Sequence, residues 1–325
     1  MTETASPSAA SVSMETPIAT PEPANDRKAL TSKVKLGKII MLINPMSGGV
    51  GNNAETQARA ILDEYEVEAD VHVLQGDGFQ KTIDEAIAAK PDALLVLAGD
   101  GTARSVATQA GDNDILVAPL PGGTMNMLPK ALYGTGDWKK ALRRTLEQGE
   151  PRKVAGGAIG DEYFYCAAIM GAPALWAPAR EAIRDGKVGK AWSQARLAFR
   201  RAFSGRIRFS LDQREEEKAE ALVLVTPLIS KAFNENDPGL EAAAMKTADA
   251  GQALRLAANA LFTDWRNDDA VETTRTREVK VWGRSRIPAV IDGETIPVGK
   301  EATIRFEPHA FTALALPAET VEDVS

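Results

Sequence analysis

The distribution of apolar and polar residues along the chain changes character near residue 150. Before this point, short apolar runs typical of buried strands alternate with longer stretches in which apolar residues recur at helical spacing. The predicted strands are Lys38–Asn44, Ala69–Leu74, Ala93–Ala98 and Ile115–Ala118, and the predicted helices are Ala54–Tyr65, Thr82–Lys90, Ala103–Ala110 and Trp138–Gln148. This alternation is typical of βαβ units and predicts an α/β N-terminal domain around a parallel sheet.

After Pro151 the pattern is one of short strands. They are predicted at Arg152–Ile159, Tyr163–Ile169, Arg206–Leu211, Ala221–Leu228, Glu278–Trp282, Ile287–Ile291, Ala302–Phe306 and Phe311–Leu316, with helical insertions near Gly189–Phe203 and Lys246–Phe262. This pattern predicts a mostly antiparallel C-terminal domain. The predicted organisation is a disordered leader over residues 1–33, an α/β domain over 34–150, a β-rich domain over 151–317 and a tail over 318–325.

The composition of the 325-residue chain excludes several classes of protein. A net charge of −7 argues against a nucleic-acid binder, because such proteins use a basic surface to displace counterions. A single cysteine, Cys166, excludes an internal disulfide framework and a cysteine-rich zinc site. The first 26 residues lack the features of a signal peptide, and no apolar run is long enough to cross a bilayer. We therefore expect a cytoplasmic protein that at most contacts a membrane surface.

Three glycine-bearing turns each follow a predicted strand of the α/β domain. They are NPMSGGVG at Asn44–Gly51, AGDGT at Ala98–Thr102 and PLPGGTMN at Pro119–Asn126. Parallel strands would bring all three turns to the carboxyl edge of the sheet, where open α/β folds bind ligands. Glycine lets a backbone approach a phosphate closely, and a helix N-terminus offers free N–H groups. The turns thus predict a phosphate site, although glycine is also common in ordinary βα loops.

The first turn also fits the dinucleotide-binding pattern G-x-G-x-x-A over residues 49–54, with Asp70 or Asp77 as a ribose partner. That pattern needs its first glycine directly after the strand, whereas several residues beginning with Pro45 precede Gly49. The spacing therefore disfavours a Rossmann dinucleotide site.

Asp100 lies between the two glycines of the second turn, where an anion is expected to bind. A carboxylate about 4 Å from a phosphate oxygen costs about 4 kcal/mol at an effective dielectric constant near 20. Asp100 is compatible with phosphate if Mg²⁺ lies between them, or if the carboxylate orients or deprotonates an attacking hydroxyl. Both interpretations indicate phosphoryl transfer, and the alternative is that Asp100 closes an Asx-turn.

The order N-P-x-S-G, G-D-G-T, G-G-T-x-N and a late D-G-E resembles the diacylglycerol kinase catalytic-domain family. That family includes bacterial lipid kinases and sphingosine and ceramide kinases, and is more distantly related to NAD kinases. The resemblance implies an N-terminal α/β domain, a C-terminal β-sandwich and the use of ATP and Mg²⁺. It also implies transfer of the γ-phosphate to a hydroxyl of a diacylglycerol-like or sphingoid-like lipid.

By this resemblance, the nucleotide site consists of residues from all three turns: Asn44, Ser47, Gly48, Gly99, Gly101, Thr102, Gly123, Thr124 and Asn126. The catalytic candidates are Asp100 and, from the late D-G-E, Asp292 and Glu294. Because Asp-Gly is a favoured hairpin pair, the alternative is a plain hairpin between two strands with Glu294 exposed beside it. In similar bacterial enzymes the glutamate of this turn is the base that activates the acceptor hydroxyl, and the turn lies opposite the G-D-G loop.

The chain departs from the usual motifs of the family at several positions. Ala98 replaces a glycine, Arg104-Ser105 replaces Asn-Glu, Met127 replaces an aspartate, and residues 238–242 replace an acidic stretch that holds a structural Mg²⁺ in some members. The metal ligands are therefore left unassigned. Two alternatives stay open, namely an NAD kinase-like phosphotransferase and a nucleotide- or lipid-binding module without transfer activity.

The segment of residues 180–208 is basic in a chain that is acidic overall, with nine Arg or Lys residues and two acids. Its aromatic and apolar residues recur at helical spacing, which is typical of an amphipathic helix. Such a helix could rest on an anionic bilayer, or its apolar stripe could pack on the β-rich domain. The sequence specifies neither the acceptor lipid nor the number of subunits.

Overall fold

The computed structural model describes residues 27–111, 113–171, 206–230, 238–245 and 271–322. Within these residues the strands form a ten-stranded mixed sheet and a six-stranded antiparallel sheet. The predicted helical insertions near Gly189–Phe203 and Lys246–Phe262 lie outside the described residues.

The α/β region has four strands and five helices in alternation. The strands are β1 (Lys38–Ile43), β2 (Glu68–Val73), β3 (Ala93–Ala98) and β4 (Leu116–Pro121), and the helices are α1 (Ala54–Leu62), α2 (Phe79–Ala88), α3 (Asp100–Gly111), α4 (Met127–Tyr133) and α5 (Trp138–Gln148). The strands are parallel in the order β2-β1-β3-β4. Every residue of β3 is buried, because helices cover both faces of a parallel sheet.

Helix α5 shows how local sequence sets an element of this region. Asp137 precedes it and its carboxylate accepts hydrogen bonds from the backbone N–H groups of Lys139 and Lys140, which satisfies two donors that the helix leaves free. The side chains that recur on one face, among them Leu142 and Leu146, are fully buried.

The described part of the β-rich region contains twelve strands and a terminal helix. They are β5 (Glu150–Ile159), β6 (Glu162–Phe164), β7 (Ala167–Gly171), β8 (Ile207–Leu211), β9 (Glu217–Ala219), β10 (Ala221–Val225), β11 (Leu240–Met245), β12 (Val271–Thr276), β13 (Glu278–Trp282), β14 (Pro288–Ile291), β15 (Glu294–Pro297), β16 (Glu301–Ala315) and α6 (Ala318–Glu322). The six-stranded sheet has the order β12-β11-β10-β7-β14-β15. Its inner face packs against β8, β13 and β16 through buried apolar side chains such as Met170, Leu222 and Val281.

The long strand β16 joins the two regions. Its first half pairs with β13, and near its end Ala313 pairs in parallel with Val117 of β4, so that the parallel sheet continues into the antiparallel one. The sequence predicted two strands here, because residues 307–310, Glu-Pro-His-Ala, interrupt the apolar pattern. In the structure this interruption is a shift of register against β5 within one strand, between Glu307 and Phe311.

The predicted fold class, an α/β region followed by a mostly antiparallel β-sandwich, is confirmed. The strands β9, β11 and β12 and the short helix α4 were not predicted, because each is too short or too uniform in polarity to show a periodic pattern. The predicted domain boundaries stay a prediction.

Residues 27–33, at the end of the predicted leader, lie against the α/β region. The backbone N–H of Lys28 donates to the carbonyl of Glu64, and the N–H of Lys33 donates to the carbonyl of Gly149. The Lys33 side chain also pairs with Glu150 at the start of β5.

Candidate active site

The carboxyl ends of β1, β3 and β4 lie side by side at one edge of the mixed sheet. Ile43 at the end of β1 pairs with Leu97, and Ala98 at the end of β3 pairs with Pro121 at the end of β4. The three glycine-bearing turns that follow these strands therefore meet, as their positions after parallel strands predicted.

The first turn is tied to the second by two side chains. Ser47 Oγ accepts a hydrogen bond of 2.9 Å from the backbone N–H of Gly99, and Asn44 Nδ2 donates to Thr102 Oγ1 at 3.4 Å. Asn44 Oδ1 also accepts the backbone N–H of Met46, which closes the chain reversal after β1. The site residues Asn44 and Ser47 thus connect the two turns.

Backbone atoms of the first and third turns approach one another where glycines stand. The N–H of Gly49 donates to the carbonyl of Gly122 at 3.0 Å. A Cβ atom on Gly49 would lie 2.9 Å from the Gly123 carbonyl oxygen, and one on Gly123 would lie 3.0 Å from Gly99 Cα. A Cβ atom on Gly48 would still fit, at 3.7 Å from Thr124 Oγ1. Gly49 and Gly123 therefore allow the turns to pack, whereas packing does not require glycine at position 48.

The third turn is closed by Asn126, which adopts a left-handed backbone conformation with φ 51°. Its Oδ1 accepts the N–H of Gly123 at 2.7 Å, and its Nδ2 donates to the Gly123 carbonyl at 3.0 Å. The side chain is buried, so that Asn126 shapes the turn from within.

Asp100 begins helix α3, and its carboxylate bridges to the third turn. Oδ2 accepts the N–H of Asn126 at 3.0 Å, and Oδ1 accepts the N–H of Met127 at 3.2 Å, at the first residue of α4. Burial raises the pKa of Asp100, and these N–H groups act in the opposite direction. Both carboxylate oxygens therefore hold the start of α4, an interaction that the sequence did not indicate.

The first two residues of the late D-G-E motif form the turn between β14 and β15, and Glu294 begins β15. Asp292 and Gly293 both have positive φ, which is typical of a type I′ hairpin. The Asp292 carboxylate points inward and accepts the backbone N–H groups of Tyr165, Cys166 and Ala167 at 2.8 to 3.0 Å. Burial raises the pKa of Asp292 to about 6 and outweighs the effect of these donors. Asp292 thus anchors the turn to the segment that begins β7.

Glu294 follows this turn and faces the G-D-G loop. A Cβ atom on Gly101 would lie 1.8 Å from Glu294 Oε1, which means that the carboxylate rests against the α-carbon of Gly101. The side chain is 50% exposed, and Oε2 contacts Nη2 of Arg104 at 3.1 Å. The structure therefore brings together Gly101 and Glu294, which the sequence separates by almost two hundred residues.

Two residues near this contact were given no role on the basis of the sequence. Arg104, on α3, contacts Glu162 Oε2 at 3.7 Å in addition to Glu294. The Tyr165 hydroxyl lies 2.7 Å from Thr108 Oγ1 on α3, and its ring packs edge-on against Phe311. Arg104 was visible as a departure from the family motif, whereas no local pattern marked Tyr165.

The stretch compared with a metal-holding segment of the family is the start of β11. Glu241 in this stretch is fully buried and accepts a hydrogen bond of 2.5 Å from Ser230 Oγ. Within the part of the chain that the structure describes, no group of three or more His, Cys, Asp and Glu side chains is arranged to hold a metal ion.

Most of the basic segment, residues 180–205, lies outside the described residues. Across the described ranges, no helix combines the length and the apolar character needed to cross a bilayer.

Comparison with known proteins gives consistent matches. Residues 38–159 match the family model described as "Diacylglycerol kinase catalytic domain". A protein of Streptococcus pneumoniae serotype 4 named "Putative lipid kinase" is 24% identical over 278 residues, which are 79% of this chain and 91% of that protein. These matches confirm the predicted resemblance and the prediction of an enzyme of the lipid-kinase class.

Solved structures share the fold. A crystal structure of a diacylglycerol kinase from Bacillus anthracis strain Sterne matches with a TM-score of 0.66 at 18% identity, over 88% of this chain and 100% of that chain. A second crystal structure from the same organism matches with a TM-score of 0.66 at 17% identity, over 88% of this chain and 99% of the other.

Proposed function

We propose that this chain, which carries a diacylglycerol kinase catalytic domain, transfers the γ-phosphate of ATP to a hydroxyl group of a lipid. The proposed acceptor is a diacylglycerol-like or sphingoid-like lipid. The observation that carries the proposal is the contact between the Glu294 carboxylate and Gly101, because it puts a proton acceptor against the turn where phosphate is expected.

The donor substrate in this proposal is MgATP. Its phosphates would bind the turn after β3, where the first residues of α3 present backbone N–H groups and the positive end of the helix dipole. Gly99 and Thr102 line this turn, and Gly48 and Thr124 face each other across the neighbouring turns. Asn44, Ser47, Gly123 and Asn126 would fix the geometry of the site through the bonds described above.

Magnesium would enter with the nucleotide, since Mg²⁺ is commonly held by substrate phosphates and water, and it would neutralise phosphate charge. The two oxygens of Asp100 accept backbone N–H groups, as do those of Asp292. These carboxylates do not form a dedicated metal site, and no step below depends on one.

The acceptor hydroxyl would be activated by Glu294. Its Oε1 accepts the hydroxyl proton while the acceptor oxygen forms a bond to the γ-phosphorus and the bond from this phosphorus to the β–γ bridging oxygen breaks. The products are the phosphorylated lipid, ADP and the protonated Glu294, which then returns its proton to water. Asp292 would act by anchoring the turn that carries Glu294, and Asp100 by holding the third turn beside the second.

We further propose that the enzyme works in the cytoplasm and meets its acceptor at the membrane surface. A lipid acceptor requires such a contact, and the excess of Arg and Lys over residues 180–208 would favour anionic lipids.

The test is incubation with ATP radiolabelled at the γ-phosphate and, in parallel, a total lipid extract, NAD or buffer. We expect label in the lipid phase. Glu294→Gln should abolish most of it, whereas Glu216→Gln should retain it, because Glu216 is similarly exposed and also contacts an arginine at 3.1 Å, in another part of the chain.

Each alternative has its own outcome in this assay. Label in NAD would identify an NAD kinase-like enzyme. Absence of any labelled product, with MgATP binding retained, would identify a module without transfer activity.

A further inference from the structure

Arg104 links the two sides of the proposed site. It is the fifth residue of α3, the helix that starts in the G-D-G loop, and its guanidinium reaches across to Glu294 in β15 and Glu162 in β6. The Arg104 side chain is 13% exposed, whereas its two partners are about half exposed. The cation is therefore more enclosed than the carboxylates that it contacts.

The surroundings of Arg104 are rich in acids. Besides Glu294 and Glu162, Asp292 interacts with it electrostatically: burial raises the pKa of this carboxyl, and the Arg104 charge acts in the opposite direction. The Arg104 charge also lowers the pKa of the Tyr165 hydroxyl, which burial raises. On the far side of the G-D-G loop, burial raises the pKa of Asp100, and the positive charge of Lys130 acts in the opposite direction. A phosphate that enters between Asp100 and Glu294 thus meets several negative charges, which Arg104 partly offsets.

An arginine at this position contributes little to stability by itself. Its Nη1 is buried and has no hydrogen-bond acceptor among the described residues. An enclosed guanidinium loses hydration, and ion pairs of this kind are often no more stabilising than apolar residues of the same size. What the ion pair between Arg104 Nη2 and Glu294 Oε2 does is fix the orientation of the carboxylate. It holds Oε2 and leaves Oε1 against Gly101.

We propose that Arg104 is a positioning residue that acts through Glu294. It orients the carboxylate with Oε1 toward the G-D-G loop, and it offsets the carboxylate charge so that the phosphates of MgATP can approach. The part that concerns transfer rests on the proposed function, whereas the part that concerns nucleotide binding can be measured without turnover.

The test is a cycle of four proteins, namely the parent, Arg104→Gln, Glu294→Gln and the double variant. The affinity for MgATP is measured by calorimetry, and the transfer rate is measured in a single turnover. We expect Arg104→Gln to weaken MgATP binding about tenfold, because it leaves the Glu294 charge without its partner. The double variant should bind MgATP within about twofold of Glu294→Gln, because the uncompensated charge is absent from both.

The effect of Arg104→Gln on the transfer rate should likewise depend on the presence of Glu294. Arg104→Gln should slow transfer strongly in the parent background and have almost no effect in the Glu294→Gln background, because Arg104 would act through a base that is already removed. Arg104→Lys should keep most of the nucleotide affinity through its charge, but lose more of the transfer rate, because an ammonium group lacks the planar fork that fixes a carboxylate.

Two controls separate positioning from a structural role. Arg59→Gln removes an arginine–glutamate contact of 2.9 Å between Arg59 and Glu55 on α1, away from the site, and should change neither binding nor transfer. The melting temperature of each variant identifies any loss of folded protein, and Arg104→Lys preserves a cation should Arg104→Gln fail to fold.

The outcomes distinguish this proposal from the proposed function. Equal effects of Arg104→Gln in both backgrounds, with an active parent, would overturn the positioning role and leave the kinase function standing. A parent that binds MgATP but transfers nothing would overturn the function, while the binding cycle would still decide the role of Arg104. A parent that does not bind MgATP would overturn both.

Discussion

The two sides of the site are held in different ways. On the side of the three glycine-bearing turns, where we propose that nucleotide binds, the turns bond directly to one another: Ser47 to Gly99, Gly49 to Gly122 and Asp100 to the start of α4. On the opposite side, the partly buried Asp292 accepts three backbone N–H groups, while Glu294, two residues later, is half exposed and contacts the charged Arg104. The candidate site therefore combines turns that are bonded to one another with a half-exposed carboxylate, which the proposed function makes the proton acceptor.

The largest effect is expected from Glu294→Gln. The amide keeps the size of the side chain but removes the basic oxygen, so the transfer rate should fall by about 10²–10⁴-fold while MgATP still binds. Single-turnover rates and calorimetry measure the two quantities, with Glu216→Gln as the matched control. Near-parental transfer by the variant would remove Glu294 from the mechanism and leave Asp100 as the candidate base.

The next largest effect is expected from Gly101→Ala. The new Cβ would occupy the position of the Glu294 carboxylate, at 1.8 Å from Oε1, and should displace it. Because a displacement of about 1 Å can cost about 10²-fold in rate, transfer should fall by that order and more than MgATP affinity. Gly78→Ala is the control, since no atom lies within 4 Å of a Cβ there. Equal losses of rate and affinity would show that Gly101 serves phosphate binding alone.

Asp292 makes the anchor of the turn sensitive to pH. Its pKa is raised to about 6 in the folded protein from an ordinary value of 3.8, so the folded state binds this proton more tightly than the unfolded state. Its contribution to stability is therefore fully present below about pH 4, and is lost as the pH rises through 6, by about 3 kcal/mol at most.

The measurement is the difference in unfolding free energy between the parent and Asp292→Asn from pH 4 to pH 7. The parent should lose stability relative to the variant as the pH rises. A flat difference would show that the three N–H donors fully offset burial, and a parent that gains stability with rising pH would show that they outweigh it.

Asp100→Asn should weaken the nucleotide-side frame. Both oxygens of Asp100 accept backbone N–H groups, whereas an asparagine side chain has one acceptor oxygen, so one donor would lose its partner. We expect a loss of about 1–3 kcal/mol in the free energy of unfolding. Asp137→Asn is the matched control, because there a single oxygen accepts both N–H groups, and chemical denaturation should show a smaller loss. A large fall in transfer without loss of stability would instead assign Asp100 to the chemistry.

The smallest effect is expected from Tyr165→Phe. This change removes the hydroxyl contact to Thr108, while Thr108 still donates to the carbonyl of Arg104. We expect a loss of about 1 kcal/mol in stability, and little change in transfer. Thr108→Val and the double variant give the coupling between the two residues. A fall in transfer as large as that of Glu294→Gln would show that the link between α3 and the D-G-E turn belongs to the reacting machinery.

The sequence by itself determined many of the elements and the edge of the sheet at which the three glycine-bearing turns meet. Strand β3 and helix α5 were predicted at their observed bounds, because a continuous apolar run and a helical period can both be recognised within about ten residues of sequence. The positions of the glycine turns after parallel strands sufficed to bring them together. The D-G-E hairpin was also visible, since its turn chemistry is local.

Only the tertiary structure decided what these residues contact. Asp100 holds a backbone segment 26 residues away, Asp292 holds one 126 residues away, and Arg104 reaches Glu294 across 190 residues. Such pairs depend on how the two sheets and α3 pack, which no local pattern encodes. Likewise, the sequence predicts two strands where the fold has the single strand β16. Pairing with β5 on both sides of the interruption at residues 307–310 continues the ladder.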